Sequence, residues 1–146
     1  MLALTASLVG CGISVPSDPN GTLETVTDGE LRVGMSAEPG LVNVSGAEPS
    51  GVLVDLAETY AETLNAVPRW TVGSEETLVG LLEDGDLDLV IGGFTDQTPW
   101  TEHAGVTRGY RNIEGARGRS LVMLVPLGEN AFLSDVESFL DEEVGS

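Results

Sequence analysis

Few side chains in this chain are of the types that do covalent chemistry. It has one cysteine, Cys11, and one histidine, His103. A Ser-His-Asp triad would have to rest on His103, and no Gly-x-Ser-x-Gly elbow supplies its serine. A lone histidine leaves no His-rich metal set, and a lone cysteine leaves no intrachain disulfide. Asp86 and Asp88 flank a strand start; paired carboxylates act as acid and base only across a cleft, so they read as structural. No nucleophile–base pair emerges. The chain is therefore not expected to be an enzyme, and no catalytic residue, metal or cofactor is assigned. The basic residues offer binding chemistry instead. Arg108, Arg111, Arg117 and Arg119 hold four of the six positive charges within a dozen positions. Two readings stay open for them: they pair with the protein's own carboxylates, or they form a surface that attracts an anion.

Composition narrows the partners. The 146 residues suit one domain with a sizeable core. Against 24 acidic residues stand 6 basic ones, for a net charge of −18. Such a chain repels nucleic acid and anionic lipid headgroups, so no nucleic-acid partner is expected. No stretch reaches the roughly 20 apolar residues of a membrane-spanning helix.

Hydrophobic patterning supplies the elements. Residues 12–28, rich in Gly, Pro, Ser, Thr and Asp, read as a flexible tether. Residues 31–35 form a first strand, and residues 38–50 a loop. Leu53, Leu56, Ala57, Tyr60, Ala61 and Leu64 recur with the spacing of one buried helix face over 52–65. Pro68 follows closely, and residues 69–72 make a second strand. Ser74 caps a helix over 75–84, with Glu75 and Glu76 favoured by its dipole. Residues 87–91 are a buried strand ending at Gly92-Gly93. Pro99 starts a helical turn, with His103 an exposed turn residue beyond it. Residues 106–110 and 121–125 read as further strands. Glu129-Asn130 caps a final helix over 131–143, whose apolar face is Phe132, Leu133, Val136, Phe139 and Leu140. Strands alternating with amphipathic helices imply an α/β fold with a mainly parallel sheet and helices on both faces. Ligands of such sheets bind beyond the carboxyl ends of the strands. That rule selects residues 36–41 after strand one, with Ser36 and Glu38, residues 92–100 after strand three, with Asp96, and the stretch after Tyr110.

Two resemblances add to this reading. Leu8-Val9-Gly10-Cys11, between the apolar stretch 1–10 and a polar run, resembles the lipobox of bacterial lipoproteins. There the thiol takes a diacylglyceryl group and becomes the first mature residue, which implies lipidation at Cys11 and an extracytoplasmic, membrane-anchored protein. No basic residue precedes Cys11, and Thr5 and Ser7 interrupt the apolar run, so the signal expects an upstream start. The other reading of Cys11 is a buried cysteine in an ordinary first strand.

The second resemblance is to the bacterial extracellular solute-binding proteins of family 3, the polar amino-acid receptors of ABC importers. It is carried by Leu31-Arg32-Val33-Gly34, by Gly51-Val52-Leu53-Val54-Asp55-Leu56-Ala57, by Gly85-Asp86-Leu87-Asp88-Leu89-Val90-Ile91-Gly92-Gly93-Phe94-Thr95, and by Thr98-Pro99. Thr107-Arg108-Gly109-Tyr110 is similar to the segment just before those proteins cross to their second lobe. Here residues 111–120 span that gap directly. The resemblance thus implies a single periplasmic-binding-protein-like lobe over 31–146, after a signal over 1–11 and a tether over 12–30. It implies ligand-side hydroxyls at Thr95 and Thr98. Their alternative roles are closing a strand end and capping a helical turn. At Trp100 the receptors usually carry a carboxylate-gripping arginine, so amino-acid binding is expected to be degenerate. Trp100 is either a stacking platform or a hydrophobic plug.

The expected ligand-binding set is therefore Ser36, Glu38, Thr95, Asp96, Thr98, Trp100 and Arg108, on a face with no opposing lobe. Two functions follow. One is a lipid-anchored solute-binding protein that serves a membrane transporter and takes a small polar solute. The other is an interaction or sensory module whose open face meets a partner protein or a second copy.

Overall fold

The computed structural model describes residues 14–145; Cys11 lies outside them. One five-stranded sheet has the order β2-β1-β3-β5-β4. Its strands are β1 (Glu30–Met35), β2 (Val67–Val72), β3 (Leu89–Ile91), β4 (Ala104–Val106) and β5 (Leu124–Pro126). β1 runs parallel to β2 and to β3, and β5 runs antiparallel to both β3 and β4. Four strands thus point one way and β5 opposes them. The helices are α1 (Thr22–Val26), α2 (Val52–Thr63), α3 (Glu75–Glu83) and α4 (Asn130–Val144), with a short 3-10 turn over Pro99–Glu102.

Strand alternation divides the apolar side chains between two faces. Leu31, Val33 and Met35 of β1, with Leu89 and Ile91 of β3, meet Leu53, Ala57 and Tyr60 of α2 and Phe132 and Val136 of α4. Val90 and Leu124 face the other way, onto Leu78, Val79 and Leu82 of α3. Gly34 permits the close approach on that second face. A Cβ there would come within 2.7 Å of Leu87 and 2.9 Å of Leu78. Arg32 shares this face, and its guanidinium is gripped by Asp88 through bonds of 3.1 and 2.8 Å, which ties β1 to β3. Asp88 is 4% exposed, and its carboxylate also accepts from the Arg32 backbone N–H at 2.9 Å.

Several boundaries differ from the sequence reading. β2 starts at Val67 and includes Pro68. It is an edge strand paired only with β1, where a missing N–H is tolerated. β4 spans 104–106 rather than 106–110. The Thr107 hydroxyl takes the Met123 N–H at 3.0 Å, and the Arg108 N–H goes to Glu137 of α4 at 2.7 Å. Those diverted donors end the ladder. β5 begins at Leu124 rather than 121, because Leu121 and Val122 bond to Tyr110 and Phe94 instead.

The largest correction concerns the segment read as a tether. Residues 17–29 are part of the fold, with Val26 fully buried. Asn130 N–H donates to the Ser17 carbonyl at 3.0 Å, and Phe132 N–H donates to Asp18 Oδ1 at 2.9 Å. The start of α4 is therefore capped by residues more than a hundred positions away. Glu129 occupies the N-cap position but makes no side-chain cap; its Oε1 accepts from Asn20 N–H at 2.9 Å.

Both tyrosines of the chain are buried, at 1% and 2% exposure. Tyr60 donates to Asp135 and Tyr110 to Asp141, at 2.8 and 2.9 Å. Burial first, and the neighbouring carboxylates second, raise both phenols, Tyr110 to about 12 and Tyr60 further. The unfolded value is about 10. The fold thus favours the neutral phenol, and this contribution is whole below pH ~10 and lost as pH climbs from ~10 through ~12 for Tyr110. Alkaline titration of the native protein is expected to show no tyrosinate absorbance near pH 10. Tyr110→Phe is expected to flatten the fall in stability between pH ~10 and ~12. A tyrosinate midpoint near pH 10 in the folded chain contradicts this.

Candidate functional site

At the carboxyl ends of β1 and β3 the chain leaves the sheet through two short segments. Ser36 N–H still donates to the Ile91 carbonyl at 3.0 Å, so the two exits run side by side. Residues 38–42 then close a tight turn, with Glu38 and Val42 exchanging backbone bonds of 3.0 and 2.9 Å. Gly51, at φ 118°, lies so close to the Leu41 carbonyl that no side chain fits. This closeness anchors the turn against the start of α2.

The turn aims Glu38 across the end of β3. A Cβ at Gly93 would collide with the Glu38 carboxylate, so this glycine makes the room it occupies. Glu38 Oε1 accepts from Arg119 Nη1 at 2.9 Å, and Arg119 Nε donates to the Ala116 carbonyl at 3.0 Å. The pair is about one third exposed. Arg119 belongs to residues 111–120, the direct link between Tyr110 and Leu121. That link is folded down on the strand ends. Ile113 and Ala116 are buried. Gly115, at φ 84°, sits where a Cβ would come within 2.8 Å of the Gly40 carbonyl.

Ser36 and Thr95 lie on the same two strand exits, and Asp96 and Ser120 follow Thr95 and precede Leu121 in the chain. Thr95 bridges Leu121, and Asp96 N–H donates to the Ser120 carbonyl at 3.0 Å. Thr95 Oγ1 accepts from Gln97 N–H at 3.3 Å, which closes the strand-end turn. Beside Glu38 a shallow concavity of about 430 Å³ runs along Ala37–Gly40 and Val42–Ser45. The surface therefore offers one carboxylate and one guanidinium side by side, with polar groups at its edge. Such a pair can exchange its internal bond for bonds to a solute carrying both charges.

Three expected site residues sit apart from this group. Arg108 is held by Glu137 and Asp141 of α4 and so belongs to the α2/α4 face. Its hydrogen bond to Asp141, together with that of Tyr110, holds the Asp141 carboxyl below the usual carboxylate range. Trp100 lies on the opposite face. It packs against the α3 cluster, and its indole N–H donates to Glu75 at 3.4 Å. Thr98 precedes the 3-10 turn but makes no side-chain cap, and its hydroxyl is buried without a partner. His103 is half exposed and paired with Glu83.

The arginine cluster thus divides. Arg108 and Arg119 pair with the protein's own carboxylates, and Arg111 donates to the Gly118 carbonyl at 3.3 Å. Arg119, one of the four and within the stretch after Tyr110, supplies the guanidinium at the strand ends. Gly93 was the available signal. A second glycine at a strand exit marks a place where another group comes close.

If Gly93 exists to admit this ion pair, Gly93→Ala and Arg119→Met act on one contact. Each is expected to cost about 1 kcal/mol, the scale of a part-exposed pair. The double variant should cost little more than either alone in thermal unfolding. Strict additivity contradicts the assignment.

No protein-family model matches the chain, and no curated protein is similar to it. Solved structures are similar. The arginine-bound form of domain 1 from TmArgBP is 24% identical, with a TM-score of 0.70, over 82% of this chain and 97% of that one. The arginine-bound form of truncated ArgBP from T. maritima is 15% identical, with a TM-score of 0.67, over 82% of this chain and 98% of that one. The ancestral amino acid-binding protein AncCDT-1, described as a precursor of cyclohexadienyl dehydratase, is 15% identical, with a TM-score of 0.63, over 83% and 92%. At these identities the likeness is one of fold: the chain has the α/β fold of a single lobe of an amino-acid solute-binding protein.

Proposed function

We propose that this chain is an extracytoplasmic solute-binding lobe, lipid-anchored through Cys11, that presents a small polar solute to a membrane transporter of the ABC type. The observation that carries the reading is the Glu38–Arg119 pair over Gly93 at the carboxyl ends of β1 and β3. That is where open α/β sheets bind ligands. A solute carboxylate would bond Arg119, and its ammonium would meet Glu38 or Asp96. The arginine-bound domain 1 from TmArgBP supports the idea that one lobe of this fold can hold an amino acid. In the present chain Trp100 and Arg108 are both turned away from the pair, so affinity is expected to be low. Among the described residues no helix is long and apolar enough to cross a membrane, and anchoring rests on the Leu8-Val9-Gly10-Cys11 run.

One observation favours the second reading, an interaction or sensory module. Glu38 and Arg119 satisfy each other, and residues 111–120 already cover part of the strand ends. On that reading the covered face meets a partner protein or another copy.

Calorimetry with a panel of polar amino acids separates the two. Solute binding predicts weak heats, with Kd on the order of 0.1–1 mM, that Glu38→Gln and Arg119→Met abolish. Heats that survive both variants place the solute elsewhere, and silence across the panel supports the module. Micromolar or tighter binding contradicts the degenerate site. Lipidation is tested separately, by expression from the complete upstream frame, detergent partitioning and mass measurement. A water-soluble product with a free Cys11 thiol ends that part.

A further inference from the structure

Among the described residues, Ser17 is the first to bond with the rest of the fold: its carbonyl takes the Asn130 and Ala131 N–H groups. Six Cα–Cα steps separate it from Cys11. Fully extended, such a link reaches about 22 Å. Ser17 also marks one pole of the lobe. It sits at the start of α4, just after β5, and the end of β5 pairs with the start of β4, Pro126 with Ala104. β1, β2 and β3 run with β4, so their first residues lie at this same base. Glu38 and Arg119 stand at the opposite pole, beyond the carboxyl ends of β1 and β3.

The two lengths decide the orientation. A domain of this size has a radius of gyration of about 14 Å, which for a sphere is about 36 Å across. Laying the Glu38–Arg119 face on a membrane lifts Ser17 roughly 30 Å from the lipid, beyond the reach of its link to Cys11. With the base down, the link is ample. The exposed apolar side chains agree. Among the described residues four large ones stand exposed, Val15, Val67, Val72 and Leu127. Val15 lies two residues before Ser17, Val67 pairs with Glu30 at the start of β1, and Leu127 follows β5 directly. Val72 alone belongs to the other end of the strands.

We propose that the base of the lobe is a lipid-facing surface. Anchored through Cys11, the protein rests on its own membrane by Val15, Val67 and Leu127, and its Glu38–Arg119 face is turned to the medium. The proposal rests on Cys11 being the anchor. A net charge of −18 restricts the surface to zwitterionic headgroups such as phosphatidylcholine. A transporter of the same membrane then cannot lie across Glu38 and Arg119 while the anchor holds. It receives solute released from the far pole.

The test attaches the lipid chemically. The full chain, alkylated with N-hexadecylmaleimide at Cys11, its one thiol, is placed in phosphatidylcholine nanodiscs that carry a gadolinium-chelating lipid. Paramagnetic broadening of its ¹⁵N amide signals is then read. The strongest broadening is expected at Val15, Val67, Leu127 and Gly128, and at least fivefold less at Glu38, Asn43, Ser45 and Gln97. Leu127→Asp, at an exposed position, is expected to cut the broadening of the base at least twofold. Even broadening of the two poles overturns the proposal, as does stronger broadening at Asn43 and Gln97 or no effect of Leu127→Asp. A native product with a free Cys11 thiol removes the anchor itself, whereas even broadening of the alkylated chain removes only the orientation. Silence of the amino-acid panel leaves this result untouched, since no solute is added.

Discussion

Tyr110 and Leu121 exchange two backbone hydrogen bonds, of 2.8 and 3.0 Å, and the rest of the architecture depends on that closure. The chain leaves β4, reaches Tyr110, and must be back at Leu121 after only residues 111–120. The return can then only be antiparallel, so β5 enters the sheet against the direction of its neighbours. Once β5 is set, α4 is delivered to the face where α2 waits. Tyr60 and Phe139 meet there with ring centres 5.2 Å apart. Tyr110 is pinned a second time, by its hydroxyl, to Asp141 at the far end of the same helix. The short link thus orders the sheet edge, positions the last helix and carries Arg119 onto Glu38.

The charge distribution follows the same economy. With 6 arginines for 24 acidic residues, every cation is scarce. Arg32 joins β1 to β3 through Asp88, Arg69 reaches Glu30 between β1 and β2, Arg108 fastens the exit of β4 to α4, and Arg119 fastens the link to the strand-end turn. Each sits at a junction between elements rather than on a free face. The bonds of Arg32 and Arg108 to carboxylates raise both guanidinium groups, so they stay charged at any physiological pH. The remaining carboxylates repel one another, which favours solubility and opposes compactness.

How much of this could be read from residues alone depended on whether the signal was local. α2, α3 and α4 emerged from their apolar spacing because each buries one face against the sheet. The sheet and its parallel core followed from the alternation of elements. The failures are all non-local. Composition over residues 12–28 suggests a tether, yet Ser17 and Asp18 are consumed in capping a helix that begins at Asn130. Residues 106–110 have strand-like patterning, but Glu137 takes the Arg108 N–H that a ladder would need. The candidate site divides in the same way. Ser36, Glu38, Thr95 and Asp96 follow from the rule of strand ends. Trp100 and Arg108 were placed by adjacency in sequence, and packing sends them to opposite faces. Arg119 lies in the stretch after Tyr110 that the same rule selects, but its partner comes from a turn eighty positions earlier.

The capping of α4 by Ser17 and Asp18 also has a bearing on how this protein comes into being. Ser17 and Asp18 on one side and the start of α4 on the other complete one another's hydrogen bonding across the length of the chain. The α2 side of the sheet lacks Phe132, Val136 and Leu140 until α4 arrives. At roughly 5–20 residues per second of synthesis, a nascent chain therefore spends seconds with its apolar sheet face bare. Native structure can close only after α4 has been made, which makes the polypeptide a natural client for whatever shelters it in that interval.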